Sequence, residues 1–165
     1  VTDRPTFNRT LLAAVVLLVV VVDQSVKRLV LARLEPGVFV PFLGERIGWQ
    51  LIFNPGAAFG IPLPRLVFPI VTLVVLVLVV RSLPGAPEPL LVLAQGLIVG
   101  GALGNVIDRV VRAEGGGLFS GEVVDYVAWG SFARFNVADA AITVGVSLMM
   151  LALLLEERAD RRADR

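Results

Sequence analysis

The chain has 165 residues, 56% of them hydrophobic, a mean hydropathy of +0.84 and a formal net charge of +1. That apolar content exceeds what a soluble domain of this size carries and reads as a multi-span membrane protein, while the near-neutral charge offers no basic field for nucleic acid. Neither cysteine nor histidine occurs, which removes disulfides, Ser-His and Cys-His nucleophile pairs, and zinc held by those ligands.

Arg4 and Arg9 precede an apolar run, Leu11–Val22, followed by Asp23, Gln24 and Lys27. A basic tail before an apolar stretch resembles a signal peptide, but no small-x-small cleavage pattern follows, so a first transmembrane helix is expected over 11–31. Residues 35–65 form a mixed connection. Val38–Phe42 and Gly48–Phe53 have strand-like composition between Pro and Gly breakers, and predict a small β-element on the membrane surface. Leu66–Val80 is the second expected span, short at about 22 Å. The third is 90–107, ending in the small residues Gly100-Gly101-Ala102-Leu103-Gly104 that permit close helix packing. The fourth is 137–155. Tyr126–Phe135 is expected to be a short interfacial segment with Trp129 at the lipid boundary.

The expected fold is therefore a membrane all-α architecture. It has four transmembrane helices, a small extracytoplasmic β-element and a short interfacial segment, in one integral domain over 1–165. Four spans put both termini on one side. The arginine distribution favours termini inside by seven (Arg4, Arg9, Arg81, Arg158, Arg161, Arg162, Arg165) against six (Arg33, Arg46, Arg65, Arg109, Arg112, Arg134), which decides nothing alone.

The polar residues each have an ordinary explanation. Asp23 and Lys27, at i and i+4, make a structural ion pair at a helix end. Asn105 and Asp108 share a helix face, and Arg109 suits the C-terminal end of the helix dipole. Asn136 is a good N-cap with Asp139 in the first turn. Asn54-Pro55-Gly56 can be a plain turn, or a backbone that approaches a ligand closely. Together, however, Asp23, Asn54, Asn105, Asp108, Arg109, Asp125, Asn136 and Asp139 can all lie at one face of one membrane. Desolvated acids and amides gathered there are costly without a purpose.

At these residues the chain resembles the bacterial lipoprotein signal peptidase (signal peptidase II) family. Five blocks carry the likeness in order over nearly the whole chain: Asp23-Gln24 with Lys27; Asn54-x-Gly56-Ala-Ala-Phe-Gly; Gly100 through Asn105-x-x-Asp108-Arg109; Val123-Val124-Asp125-Tyr126; and Phe135-Asn136-x-Ala138-Asp139. The resemblance implies a catalytic pair at Asp125 and Asp139, and supporting or substrate-binding positions at Asn54, Gly56, Asn105, Arg109 and Asn136. Asp23, Lys27 and Asp108 become structural polar residues. It further implies a two-aspartate, water-activating endopeptidase without metal or cofactor. Its substrates are diacylglyceryl-modified prolipoproteins, cut before the modified cysteine. The expected setting is a monomer among the lipids of the bacterial cytoplasmic (inner) membrane, termini inside and active site outside. The chain departs from the family in a long Val110–Glu122 segment, where only a few residues are usual, and in a short spacing between the two acids.

Three other readings stand beside this one. Ser25 and Lys27 offer a Ser-Lys protease, although at i, i+2 they point roughly 200° apart on a helix. The acids offer a magnesium-dependent lipid transferase, although they are scattered singly among amides. A non-enzymatic transporter or assembly subunit would use Asp23 and Asp108 along a proton path.

Overall fold

The structure, a computed structural model, describes residues 4–55, 57–58, 61–62, 64, 66–82, 88–131 and 133–163. Among the described residues there are four helices: α1 (Arg4–Arg33), α2 (Val67–Ser82), α3 (Pro89–Val111) and α4 (Val137–Ala163). Long apolar runs choose helices in lipid because only there does every backbone N–H and C=O find a partner inside the segment. Among the described residues three helices are long and apolar enough to cross a membrane, over Thr6–Arg33, Pro89–Val111 and Val137–Leu155. The second expected span is a shorter apolar helix of 16 residues. α1 exceeds its expected bounds at both ends, and it runs unbroken through Asp23 and Lys27 because each meets a partner (below).

Among the described residues six strands accompany the helices: β1 (Phe39–Leu43), β2 (Ile47–Asn54), β3 (Ala57–Ala58), β4 (Ile61–Pro62), β5 (Val123–Trp129) and β6 (Ala133–Phe135). The two strand-like stretches of the connection are thus confirmed as β1 and β2. The segment expected between the two acids is made of strands. Val123–Trp129 is a strand that pairs antiparallel with β2, with Ile52 opposite Asp125 and Asn54 opposite Val123. Residues 133–135 return as β6, giving a four-stranded sheet in the order β1-β2-β5-β6. Asp125 therefore lies inside a strand. An all-α description is too narrow for the same reason: a β-rich run such as V-V-D-Y-V-A-W gains a full ladder once β2 lies beside it. The tight turns at Gly44 and Gly130 use positive φ, 60° and 55°, which glycine adopts without steric cost.

α3 is the central helix, packed on α1 along one side and α4 along the other. Glycines make that closeness possible. A Cβ at Gly96 would lie 2.7 Å from Val15 Cγ1, and one at Gly100 2.7 Å from Val19 Cβ, both on α1. On the α4 side a Cβ at Gly101 would run into the Ala138 carbonyl oxygen, and one at Gly145 would sit 2.8 Å from the Ala94 carbonyl. The C-terminal ends of α1 and α3 and the N-terminus of α4 meet at the sheet. There Val30, Leu51, Val124 and Tyr126 form a small apolar core. β1 is exposed at all five positions although it reads Phe-Val-Pro-Phe-Leu, and Trp129 is 55% exposed.

Gly101→Val is expected to destabilise the protein by about 1–3 kcal/mol through overpacking of α3 on α4. Thermal unfolding in detergent measures it, and an unchanged Tm would show that the two helices are not held this tightly.

Candidate active site

Lys27 is the buried centre of the polar region, with no exposed side-chain surface. Its ammonium has three donors and no acceptor capacity. Three acceptors surround Nζ: Asp23 Oδ2 at 2.8 Å, Asp108 Oδ2 at 2.8 Å and Asn105 Oδ1 at 3.1 Å. The predicted Asp23–Lys27 pair is thus real. Asp108, expected to be structural, proves to be its second carboxylate, brought from α3. Gln24 Nε2 joins this group, donating to Asp23 Oδ2 (3.1 Å), the Gly104 carbonyl (3.1 Å) and Asp108 Oδ1 (3.3 Å). Gly104 carries no side chain because a Cβ there would lie 2.7 Å from Asp23 Oδ2.

Each partner of Lys27 makes a second bond that reaches an element bearing one of the two candidate acids. Asp23 Oδ1 accepts the Ala138 N–H of α4 at 2.9 Å. Asp108 Oδ2 accepts the Val124 N–H of β5 at 3.1 Å. Asn105 Nδ2 donates to Asp139 Oδ1 at 2.8 Å.

The first turn of α4 is closed by side chains from three elements. A helix leaves its first four N–H groups without intrahelical partners. Here Val137 N–H goes to Tyr126 Oη (3.1 Å), Ala138 N–H to Asp23, and Asp139 N–H to Asn136 Oδ1 (2.9 Å), while Ala140 N–H takes the Asn136 carbonyl (3.2 Å). Asp139 Oδ2 in return accepts the Asn136 N–H at 3.2 Å. This reciprocal arrangement is a capping box with Asp in the Glu position. The ordinary capping reading of Asn136 and Asp139 is therefore correct as geometry, and the same geometry aims Asp139 at its neighbours.

Asn136 joins the two acids. Its Nδ2 donates to Asp125 Oδ1 at 2.8 Å, to Asn105 Oδ1 at 3.1 Å and to the Val124 carbonyl at 3.3 Å. The other oxygen of Asp125 accepts Asn54 Nδ2 at 3.0 Å. Among the described residues, Asp125 and Asp139 thus each receive one N–H on each oxygen, all from asparagines. Asp125 is 3% exposed, whereas Asp139, Asn54 and Asn105 are only half-buried, so the pair opens to the outside on their side. Burial, then the charge of Asp139, pushes the Asp125 carboxyl from 3.8 up to about 7, against the Asn54 and Asn136 hydrogen bonds and the Lys27 charge, which pull it down. Burial pushes the Tyr126 hydroxyl up to about 12, so it is neutral.

Arg109 is buried at the end of α3. Its Nη1 donates to the Gly121 carbonyl at 3.4 Å while its own carbonyl accepts the Gly121 N–H at 3.0 Å. It thus fastens the long Val110–Glu122 segment, and its charge acts on Asp125, Asp108 and Asp139. Gly56 lies outside the described residues. Ser25 is exposed while Lys27 is buried, and the Lys27 donors already face three acceptors, which leaves no Ser-Lys pair. Among the described residues no group of three or more acidic side chains is placed to hold a metal ion. Sequence reasoning missed the structural part of Tyr126, which one tyrosine in an apolar strand does not announce, and that of Gln24, whose place in a helix beside Asp23 was the available signal.

The signal peptidase (SPase) II family matches this chain over residues 15–155. A lipoprotein signal peptidase of Shouchella clausii (strain KSM-K16) is 36% identical over 155 residues, covering 92% of this chain and 97% of the relative. One of Rhodococcus jostii (strain RHA1) is 37% identical over 154 residues, covering 93% and 77%. A bacterial membrane enzyme solved by the in meso method superposes with a TM-score of 0.75 at 30% identity, over 88% of both chains.

Lys27→Met is expected to cost about 3–5 kcal/mol, because it leaves Asp23 and Asp108 buried without their counter-charge. Adding Asp108→Asn should recover part of that loss in the same unfolding measurement. A Lys27→Met protein as stable as the wild type would show that the three-way contact contributes nothing.

Proposed function

The chain belongs to the signal peptidase II family, a lipoprotein signal peptidase in a multi-pass membrane protein, and we propose that Asp125 and Asp139 are the acids that cut the peptide bond. The observation that carries this reading is the shared amide. Asn136 donates its side-chain N–H to one acid and its backbone N–H to the other, so the two carboxyls bracket one small volume, and among the described residues asparagines supply their hydrogen bonds.

Two carboxyls this close share one proton. Asp125 is the more buried of the two, and burial disfavours the charged form, so we assign it the proton at rest and Asp139 the charge. Asp139 takes a proton from a water, whose oxygen attacks the scissile carbonyl carbon. Asp125 gives its proton to the carbonyl oxygen, forming a tetrahedral diol. The proton gained by Asp139 passes to the leaving nitrogen as the C–N bond breaks, and the diol returns its hydroxyl proton to the pair. Asn54 and Asn105 orient the acids from the open side, with Gly56 on the same connecting stretch as Asn54 meeting the substrate backbone. No metal or cofactor enters these steps.

The substrate in this reading is a prolipoprotein cut before its diacylglyceryl-modified cysteine. α2 supplies a fourth span: Ile70, Val71, Leu73, Val74 and Leu78 are all more than half exposed, which suits lipid and not water. With four spans, the ends of α1 and α3 and the start of α4 share one side, and we assign that side to the extracytoplasmic face of the bacterial inner membrane. The exposed apolar β1 and Trp129 then rest on the bilayer surface among its lipids, and the enzyme acts as a monomer.

Asp125→Asn and Asp139→Asn are each expected to give a folded protein that leaves synthetic diacylglyceryl prolipoprotein uncut, a loss of at least about 10³-fold. Wild-type cleavage by either variant would sink the mechanism. The rate should also fall as pH rises through about 7, where Asp125 loses its proton. Stability shares that direction. Between 3.8 and about 7 the unfolded chain releases a proton that folded Asp125 keeps, so the contribution of the neutral acid is full below 3.8 and gone above about 7. A rate that is flat from pH 6 to 9 would contradict the assignment of the proton to Asp125.

A further inference from the structure

The two acids ride on elements with little direct packing between them. α4 packs chiefly on α3, and β5 chiefly on β2. Two kinds of bond tie β5 to α4 across that gap. One runs through Asn136, which lies between the acids. The other runs from Tyr126, next to Asp125 on β5, to the first residue of α4.

We propose that Tyr126 is a positioning residue for the cleavage reaction: its hydroxyl, held by the core under the sheet, fixes the start of α4 and with it the separation of Asp139 from Asp125. The proposal rests on the reading of those two acids as the reacting pair. Neighbouring strand residues point to opposite faces, so Tyr126 turns away from Asp125 and into the cluster with Val30, Leu51 and Val124, where it is 1% exposed. The Trp49 ring sits beside it, with centroids 6.2 Å apart. A ring locked on several sides puts Oη at one position, 3.1 Å from the Val137 nitrogen. Val137 is two residues before Asp139 and directly after the amide that serves both acids. Loss of the hydroxyl leaves a partly buried N–H without its acceptor, and the first turn of α4 must shift or loosen to find another. Asp139 moves with that turn while Asp125 stays with the sheet. Proton transfer and water attack depend on their separation, whereas the remote contacts that hold the substrate do not.

The test is a double-mutant cycle on the full-length enzyme with a synthetic diacylglyceryl prolipoprotein peptide. Tyr126→Phe removes the acceptor and keeps the ring. Val137→Pro removes the donor, and proline is well suited to the first position of a helix. Each single change is expected to lower kcat about tenfold with KM within about twofold of wild type. The double variant should stay near tenfold, since both changes delete one bond. A wild-type kcat in Tyr126→Phe, a loss appearing in KM instead of kcat, or a double variant down about a hundredfold overturns the proposal. Asp125→Asn and Asp139→Asn are run alongside. If either cleaves normally, the reading of the acids has failed; if both are dead and Tyr126→Phe is not impaired, only the role of Tyr126 has failed.

Discussion

A single buried ammonium holds the active end of this protein together. Lys27 has room for three hydrogen bonds, and three acceptors from two helices surround it. Such a contact adds little net stability over an apolar alternative, because the desolvation of three charges offsets most of the attraction. What it supplies is direction. Asp23, Asp108 and Asn105 are each pinned by one atom to Lys27, and each then extends a second bond to α4, to β5 or to Asp139. One cation thus reaches, through its three partners, both the helix and the strand that bear the two candidate acids. The same closure argues against a proton path along Asp23 and Asp108, since the cation between them is occupied on every side and both acids are buried.

The rest of the fold makes that contact possible. Glycines on α3 let α1 and α4 approach until side chains from both can meet over its end. The sheet brings β5 beside β2, so that Asn54 and Asp125, far apart in the chain, are hydrogen-bonded neighbours. Among the described residues the acids are dressed by amides alone. An amide donor carries no charge of its own, so the proton balance of the pair is set by burial, by their mutual repulsion and by nearby fixed charges.

Much of this was legible in local pattern. Spacing of four residues gave the Asp23–Lys27 pair, a three-residue spacing gave the Asn136–Asp139 cap, and composition gave β1, β2 and the long helices. What was hidden depends on contacts between distant residues. Lys27 meets Asp108 on another helix, and neither flanking sequence announces it. The strand Val123–Trp129 was not legible because its partner lies about seventy residues earlier, and without a ladder a β-rich run beside a membrane has no definite form. The part played by the Tyr126 hydroxyl is hidden in the same way, since the backbone group it serves belongs to a helix that begins eleven residues later. Residue pattern finds elements and caps, and it fails where one residue's partner is set by the packing of two others.

The helices are unequal in length, and that has a consequence for the surrounding lipid. α1 has 30 residues and α2 only 16, about 45 and 24 Å of helix. A hydrocarbon layer of about 30 Å matches neither. α1 adapts by letting its ends leave the layer or by tilting. On the four-span reading proposed above, α2 has no such freedom, and lipid beside it thins at a cost of fractions of a kcal/mol per Å. That reading puts a dimple in the bilayer on the α2 flank. A membrane-borne substrate drifting into that dimple meets a lower surface, so its junction with the aqueous phase is lifted relative to lipid elsewhere. Bilayer thickness becomes a variable of the reaction alongside sequence and charge.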